Sequence, residues 1–237
     1  PILLELGDLL VADGRPDEAR SFYARAATSM PSLAESEAAL ALSLQEQGKL
    51  GDARLHFDRA VRIDPSSVQA AYQRANSFAR TDDWDRAADG YRRVLELDPS
   101  MADAHNNLGW VLSRTGDTGS AITEWERALA LRPGWTVPAR NLAWSLATDA
   151  DPAWRDPQRA ASLMEDALRS TPQDPQLLEA LAAAQGSLGD FAAARTTVRA
   201  AIAAADARGD PSTVARLRQQ EARYRDGRNV IQTSIEQ

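Results

Sequence analysis

The chain has no cysteine, a single lysine at Lys49, and two histidines, His56 and His105, among its 237 residues. Without cysteine it forms no disulfide, no thiolate metal site and no cysteine nucleophile. The two histidines are far apart, and no HExxH, GxSxG, GxGxxG or phosphate-loop pattern accompanies them. His56 lies among charged neighbours and is expected to be solvated, and His105 is expected to pack against a sister helix. No apolar run approaches the ~18 residues that span a bilayer, and no signal-peptide pattern is present. A net charge of -7 argues against general binding to nucleic acid. The near-exclusive use of arginine over lysine points to a GC-rich bacterial genome. No compartment follows from any of this.

What the chain does have is alanine, with few β-branched residues, a composition that favours helix. It also has a period. Pro31, Pro65, Pro99 and Pro133 are spaced by 34 residues. Ahead of each proline stand a small residue (Ala19, Ala53, Ala87, Ala121), an aromatic (Tyr23, Phe57, Tyr91, Trp125) and a second small or apolar residue (Ala26, Ala60, Val94, Ala128). Gly14, Gly48 and Gly116 mark a turn, with Asp82 standing in for glycine. Upstream come Leu6-Gly7, Leu40-Ala41, Arg74-Ala75 and Leu108-Gly109. The clearest copy is AHNNLGWVLSRTGDTGSAITEWERALALRPG, residues 104–134.

This pattern resembles the tetratricopeptide repeat, and four copies in phase make the likeness specific. The physics agrees. Small residues let two helices approach, the aromatic fills the space between them, the turn residue accepts positive φ, and proline ends the second helix. One helix pair cannot bury its own apolar face, so repeats stack. The phase then slips. Asn141-Leu142-Ala143-Trp144 opens a fifth repeat on time, but its proline, Pro172, comes 39 residues after Pro133, through an inserted turn at Thr148–Gln158. A sixth repeat follows, then an amphipathic helix from Ser212 to Asp226 suited to capping a solenoid. The expected fold is an all-α, right-handed α-solenoid of antiparallel helix pairs over residues 1–205. Its repeats are 1–31, 32–65, 66–99, 100–133, 134–172 and 173–205, followed by a capping helix over 206–229 and a frayed tail over 230–237. The last repeats and cap also resemble the C-terminal end of large bacterial tetratricopeptide proteins, which implies further repeats or another domain upstream.

With each closing proline numbered 32, positions 4, 7, 8 and 11 of the first helix form the packing face, at about 100° per residue. Positions 5, 6, 9 and 13 fall on or beside a second face, which in this family lines the concave groove where peptides bind. In the third to fifth repeats that face carries amides, aromatics and arginines together: Tyr72, Gln73, Asn76, Arg80, Asn106, Asn107, Trp110, Arg114, Arg140, Asn141 and Trp144. Amides pair with peptide backbone, arginine grips carboxylates, and aromatics dominate binding hot spots. Each has a plainer alternative. Trp110 and Trp144 pack between repeats, the asparagines bond neighbouring helices, or the arginines pair with local carboxylates. Trp135 and Trp154 are weaker candidates for a second contact. The family's carboxylate clamp is absent, since Leu4 and Asp8 occupy its positions in the first repeat.

The function expected is a protein-interaction scaffold, not an enzyme, holding a protein or peptide partner with acidic or aromatic residues in its groove. The alternative is an assembly or oligomerisation module packing against another subunit or an upstream domain. No cofactor, metal, nucleic acid or membrane insertion is implied.

Overall fold

The first four repeats and the sixth turn on the same backbone device. The helix preceding the turn ends when the N–H of one residue closes onto the carbonyl five residues earlier. These bonds are Arg15 to Leu10 (2.8 Å), Lys49 to Leu44 (2.9 Å), Asp83 to Phe78 (3.0 Å), Asp117 to Leu112 (2.9 Å) and Asp190 to Gln185 (3.0 Å). The residue before each donor has positive φ: 75° at Gly14, 76° at Gly48, 84° at Gly116, 83° at Gly189. At the third turn the residue is Asp82, at φ 56°, so a side chain sits where glycine is favoured.

The structure, a computed structural model, describes residues 2–29 and 33–231. Pro31, the side chain of Leu4 and residues 232–237 of the expected tail lie outside them. Among the described residues there are thirteen α-helices and no strand. The chain falls into two compact units, Pro1–Ala104 and His105–Gln237. The division lies inside a helix, not at an expected repeat boundary.

In the first unit, α1 (Ile2–Ala12) packs on α2 (Pro16–Ser29), α3 (Leu33–Glu46) on α4 (Leu50–Ile63), and α5 (Val68–Ala79) on α6 (Trp84–Leu97). Ala19, Ala41, Ala53, Phe57, Ala60, Ala75, Ala87 and Val94 are fully buried there. The Asp-Pro steps close the second helices, with Asp64 and Asp98 accepting from the backbone N–H of Ser66 (3.0 Å) and Ser100 (2.9 Å). His56 is not solvated as the sequence suggested. Its Nδ1 lies 2.6 Å from Glu37 Oε2, because α3 brings that carboxylate across the helix pair.

The helix α7 (Ala102–Arg114) carries the division point. In the second unit its later part meets α8 (Thr118–Leu131), with His105 Nδ1 2.6 Å from Glu124 Oε2. The helices α9 (Thr136–Thr148), α10 (Pro157–Leu168), α11 (Pro175–Ser187) and α12 (Phe191–Ala207) pack in sequence, and α13 (Pro211–Arg225) lies against α12. The insertion holds a 3₁₀ turn, Pro152–Trp154. Its chain is tied down by Asp156 N–H to Leu146 O (2.9 Å), Arg155 Nε to Asp149 O (2.6 Å) and Thr118 Oγ1 to Asp149 Oδ2 (2.8 Å). Trp154 covers Gly119, where a Cβ would lie 2.6 Å from the ring, so this exposed tryptophan has a packing role.

Two outcomes are expected in urea unfolding. Asp82→Gly relieves the positive φ and adds about 0.5–1 kcal/mol, whereas Gly116→Ala loses about 1 kcal/mol; equal effects of the two would refute the turn argument. The second concerns the Asp210 cap of α13. Hydrogen bonds from Ser212 and Thr213 hold its carboxyl at about 2. Its pKa is depressed on folding, so its stabilisation is full above the ordinary carboxylate range and is lost as pH falls toward about 2. Asp210→Asn should flatten that part of the acid-unfolding profile.

Candidate partner-binding cleft

The side chain at position 9 answers to the aromatic of the second helix. Tyr23 donates its hydroxyl to Asp8 Oδ1 at 2.7 Å, and Tyr91 donates to Asn76 Oδ1 at 2.7 Å. Phe57 has no hydroxyl, and Leu42 packs beside it. A buried hydroxyl requires an acceptor, whereas a phenyl ring requires only apolar cover. Asp8 is further held by Arg59 (2.8 Å) and Arg62 (3.4 Å), and burial beside Asp8 pushes the Tyr23 hydroxyl up to about 12.

Asn76 is therefore engaged with Tyr91. Tyr72 lies beside the same ring, with centroids 6.0 Å apart, and packs against the cluster of Ala71, Val94 and Ala104. Gln73 is half-buried on α5, and Arg80 is exposed at its C-terminal end. These four candidates belong to the first unit.

The fourth repeat departs from the rule. Its aromatic is Trp125, 2% exposed, which fills the room that Gly109 leaves: a Cβ there would lie 2.8 Å from the indole. Position 9 is Trp110, which offers no acceptor. The Trp125 Nε1 stays buried without a hydrogen-bond partner among the described residues. Trp110 itself is 41% exposed, with the Arg114 guanidinium 6.0 Å from its ring.

Trp110, Arg114, Arg140, Asn141 and Trp144 all line one cleft of about 610 Å³ in the second unit. Asn106 and Asn107 do not. Asn106 is buried, bonds Asn107 at 3.0 Å, and accepts from Asn141 at 3.5 Å, joining α7 to α9. Arg140 donates to the amide oxygens of Asn141 (3.1 Å) and Gln176. Burial lowers its guanidinium pKa, an effect countered by Asp174 and Glu179. Trp135 is not among the lining residues and has the Arg132 guanidinium 4.2 Å from its ring centroid.

Sequence reasoning missed the far wall. Gln176 and Glu179 of α11, and Arg216, Gln220 and Arg223 of α13, line the same cleft. Glu179, 5% exposed, accepts from Arg216 and from Gln220 Nε2 (2.6 Å). The register could have found Glu179, which falls at position 5 of the sixth repeat. No repeat pattern marks the residues of α13. The tail also begins differently than expected, because Val230 packs against the core that includes Leu217 and Tyr224 instead of fraying.

The tetratricopeptide repeat profile matches residues 38–89, 72–137 and 155–210. The chain belongs to the tetratricopeptide repeat family. Among solved structures it is similar to YrrB, described as a tetratricopeptide protein with an unusual peptide-binding site. The two are 18% identical with a TM-score of 0.65, covering 83% of this chain and 97% of that one. It is also similar to pilF of Pseudomonas aeruginosa, at 22% identity, a TM-score of 0.60, and 83% and 94% coverage. A fragment of MamA from Desulfovibrio magneticus matches at 17% identity, a TM-score of 0.66, and 73% and 96% coverage. These likenesses establish the fold. No curated protein sequence matches significantly.

The two tryptophans should separate on substitution. Trp125→Ala should lose about 3–5 kcal/mol by opening a cavity. Trp110→Asn supplies the missing acceptor and should keep stability or raise it by about 1 kcal/mol. A large loss on Trp110→Asn, read by urea unfolding, would return Trp110 to the packing face.

Proposed function

We propose that the chain, a protein-interaction scaffold by family and fold, holds an extended, carboxylate-rich segment of a partner in the cleft of its second unit. One observation carries this reading: Arg114, Arg140, Arg216 and Arg223 line the cleft, and Glu179 is the single carboxylate among the described lining residues. That wall is basic in a protein whose net charge is -7. Glu179 is already engaged by Arg216 and Gln220. Arg140 makes its hydrogen bonds to neutral amides while burial disfavours its charge. An incoming carboxylate would compensate that charge through two parallel N–H···O bonds. Trp110 and Trp144 add broad contact area at low conformational cost. The shared fold with YrrB, a protein with a peptide-binding site, supports a peptide as the occupant.

The test is titration of a fluorescein-labelled Glu/Leu peptide, with a Lys/Leu peptide as control. Arg114→Glu with Arg140→Glu should weaken binding of the acidic peptide about tenfold or more, with unchanged circular dichroism. Equal binding of both peptides, or retained affinity in the double variant, would refute the cleft.

A second reading, an assembly surface, is favoured by α1 alone. Ile2, Leu6 and Leu9 are 72%, 40% and 66% exposed, an apolar stripe at helical spacing that suits cover by another helix. Under this reading Leu9→Glu abolishes concentration-dependent association in light scattering. A monomeric parent chain would dismiss it.

A further inference from the structure

We propose that residues 229–231 hold one side of the cleft in place of the partner segment and compete with it in cis; the competition rests on the reading of the cleft given above. The α13 helix ends as the first helix does in the first four repeats and the sixth. Gly227 has φ 67°, and the N–H of Arg228 closes onto Arg223 O at 2.9 Å. In the repeats this closure sends the chain back along the helix it has left. Here it does the same, and the described residues that follow, 228–231, are not helical. Val230 is delivered onto the core beside Leu217 and Tyr224, and Val230 and Ile231 join Trp110, Arg140 and Trp144 in lining the cleft.

The seat is a light one. Among the described residues, Asn229, Val230 and Ile231 make no backbone hydrogen bond, and Asn229 Oδ1 is buried without a partner. An orphaned buried acceptor disfavours the seated state, and unpaired backbone leaves no ladder to break. The segment is held on the core by Val230, with Ile231 on the cleft lining, and is therefore exchangeable. It also resembles a groove-bound partner, a non-helical stretch with aliphatic side chains and free backbone groups, but it brings no carboxylate of its own to the arginines. An acidic aliphatic segment makes the same apolar contacts and adds the ion pairs, so it displaces residues 229–231 instead of binding beside them.

Three proteins test this: the full chain, the chain ended after Arg228, and Ile231→Ser, which keeps Val230 on the core. Two readouts are taken: the indole ¹H–¹⁵N resonances of Trp110 and Trp144, assigned by Trp→Phe replacement, and affinity for the labelled Glu/Leu peptide. Both altered chains should shift the two indoles and bind the peptide about three- to tenfold more tightly, as expected when the open cleft is a minority state. Unmoved indoles overturn the seat. Unchanged or weaker binding by the altered chains overturns the competition, making the segment part of the wall. If none of the three binds the peptide, the binding reading of the cleft fails, while shifted indoles still support the seat.

Discussion

A buried aromatic ring that carries a polar atom must be given a partner for that atom, and in this protein the duty falls on one register position. Tyr23 and Tyr91 reach Asp8 and Asn76, and Phe57 asks for nothing and meets Leu42. Position 9 is thus tied to the opposite helix wherever the ring is a tyrosine. The tie breaks at Trp125, whose N–H is left unpaired among the described residues, and there position 9 is an exposed tryptophan. The side chain released from packing is the one that faces the cleft.

The cleft is likewise a product of constraints set elsewhere. Arg140 is drawn between Asn141 and Gln176, and Glu179 is held under Arg216 and Gln220. These bonds fix the side chains of three helices relative to one another. They leave arginines in excess over carboxylates along a partly buried wall, where charge interactions are screened less than at an open surface. A basic cleft inside an acidic protein follows from placement, not composition.

Much of the architecture could be read from the residues. The 34-residue period, the turn glycines and the small residue ahead of each aromatic are local requirements of one helix pair, so they recur and become visible. The site was legible only in part. Trp110, Arg114, Arg140, Asn141 and Trp144 share a face by helical geometry and do line one cleft. Asn106 and Asn107 share that face too, yet bond each other and α9, because periodicity gives a direction and not a distance. His56 shows the same limit, since the carboxylate that engages it, Glu37, lies on another helix.

The sequence alone determined that this chain is a stack of tetratricopeptide-type helix pairs, where each turns, and which face of each first helix lies opposite its packing stripe. All of these depend on residues within about one repeat of each other. Only the tertiary structure decided that α11 and α13 supply the far wall of the cleft, that Glu179 lies beneath its arginines, and that Val230 folds back onto the core. The contacts of α13 and Val230 join residues outside the repeat period, and their energy comes from burial and pairing that exist only once the helices have stacked.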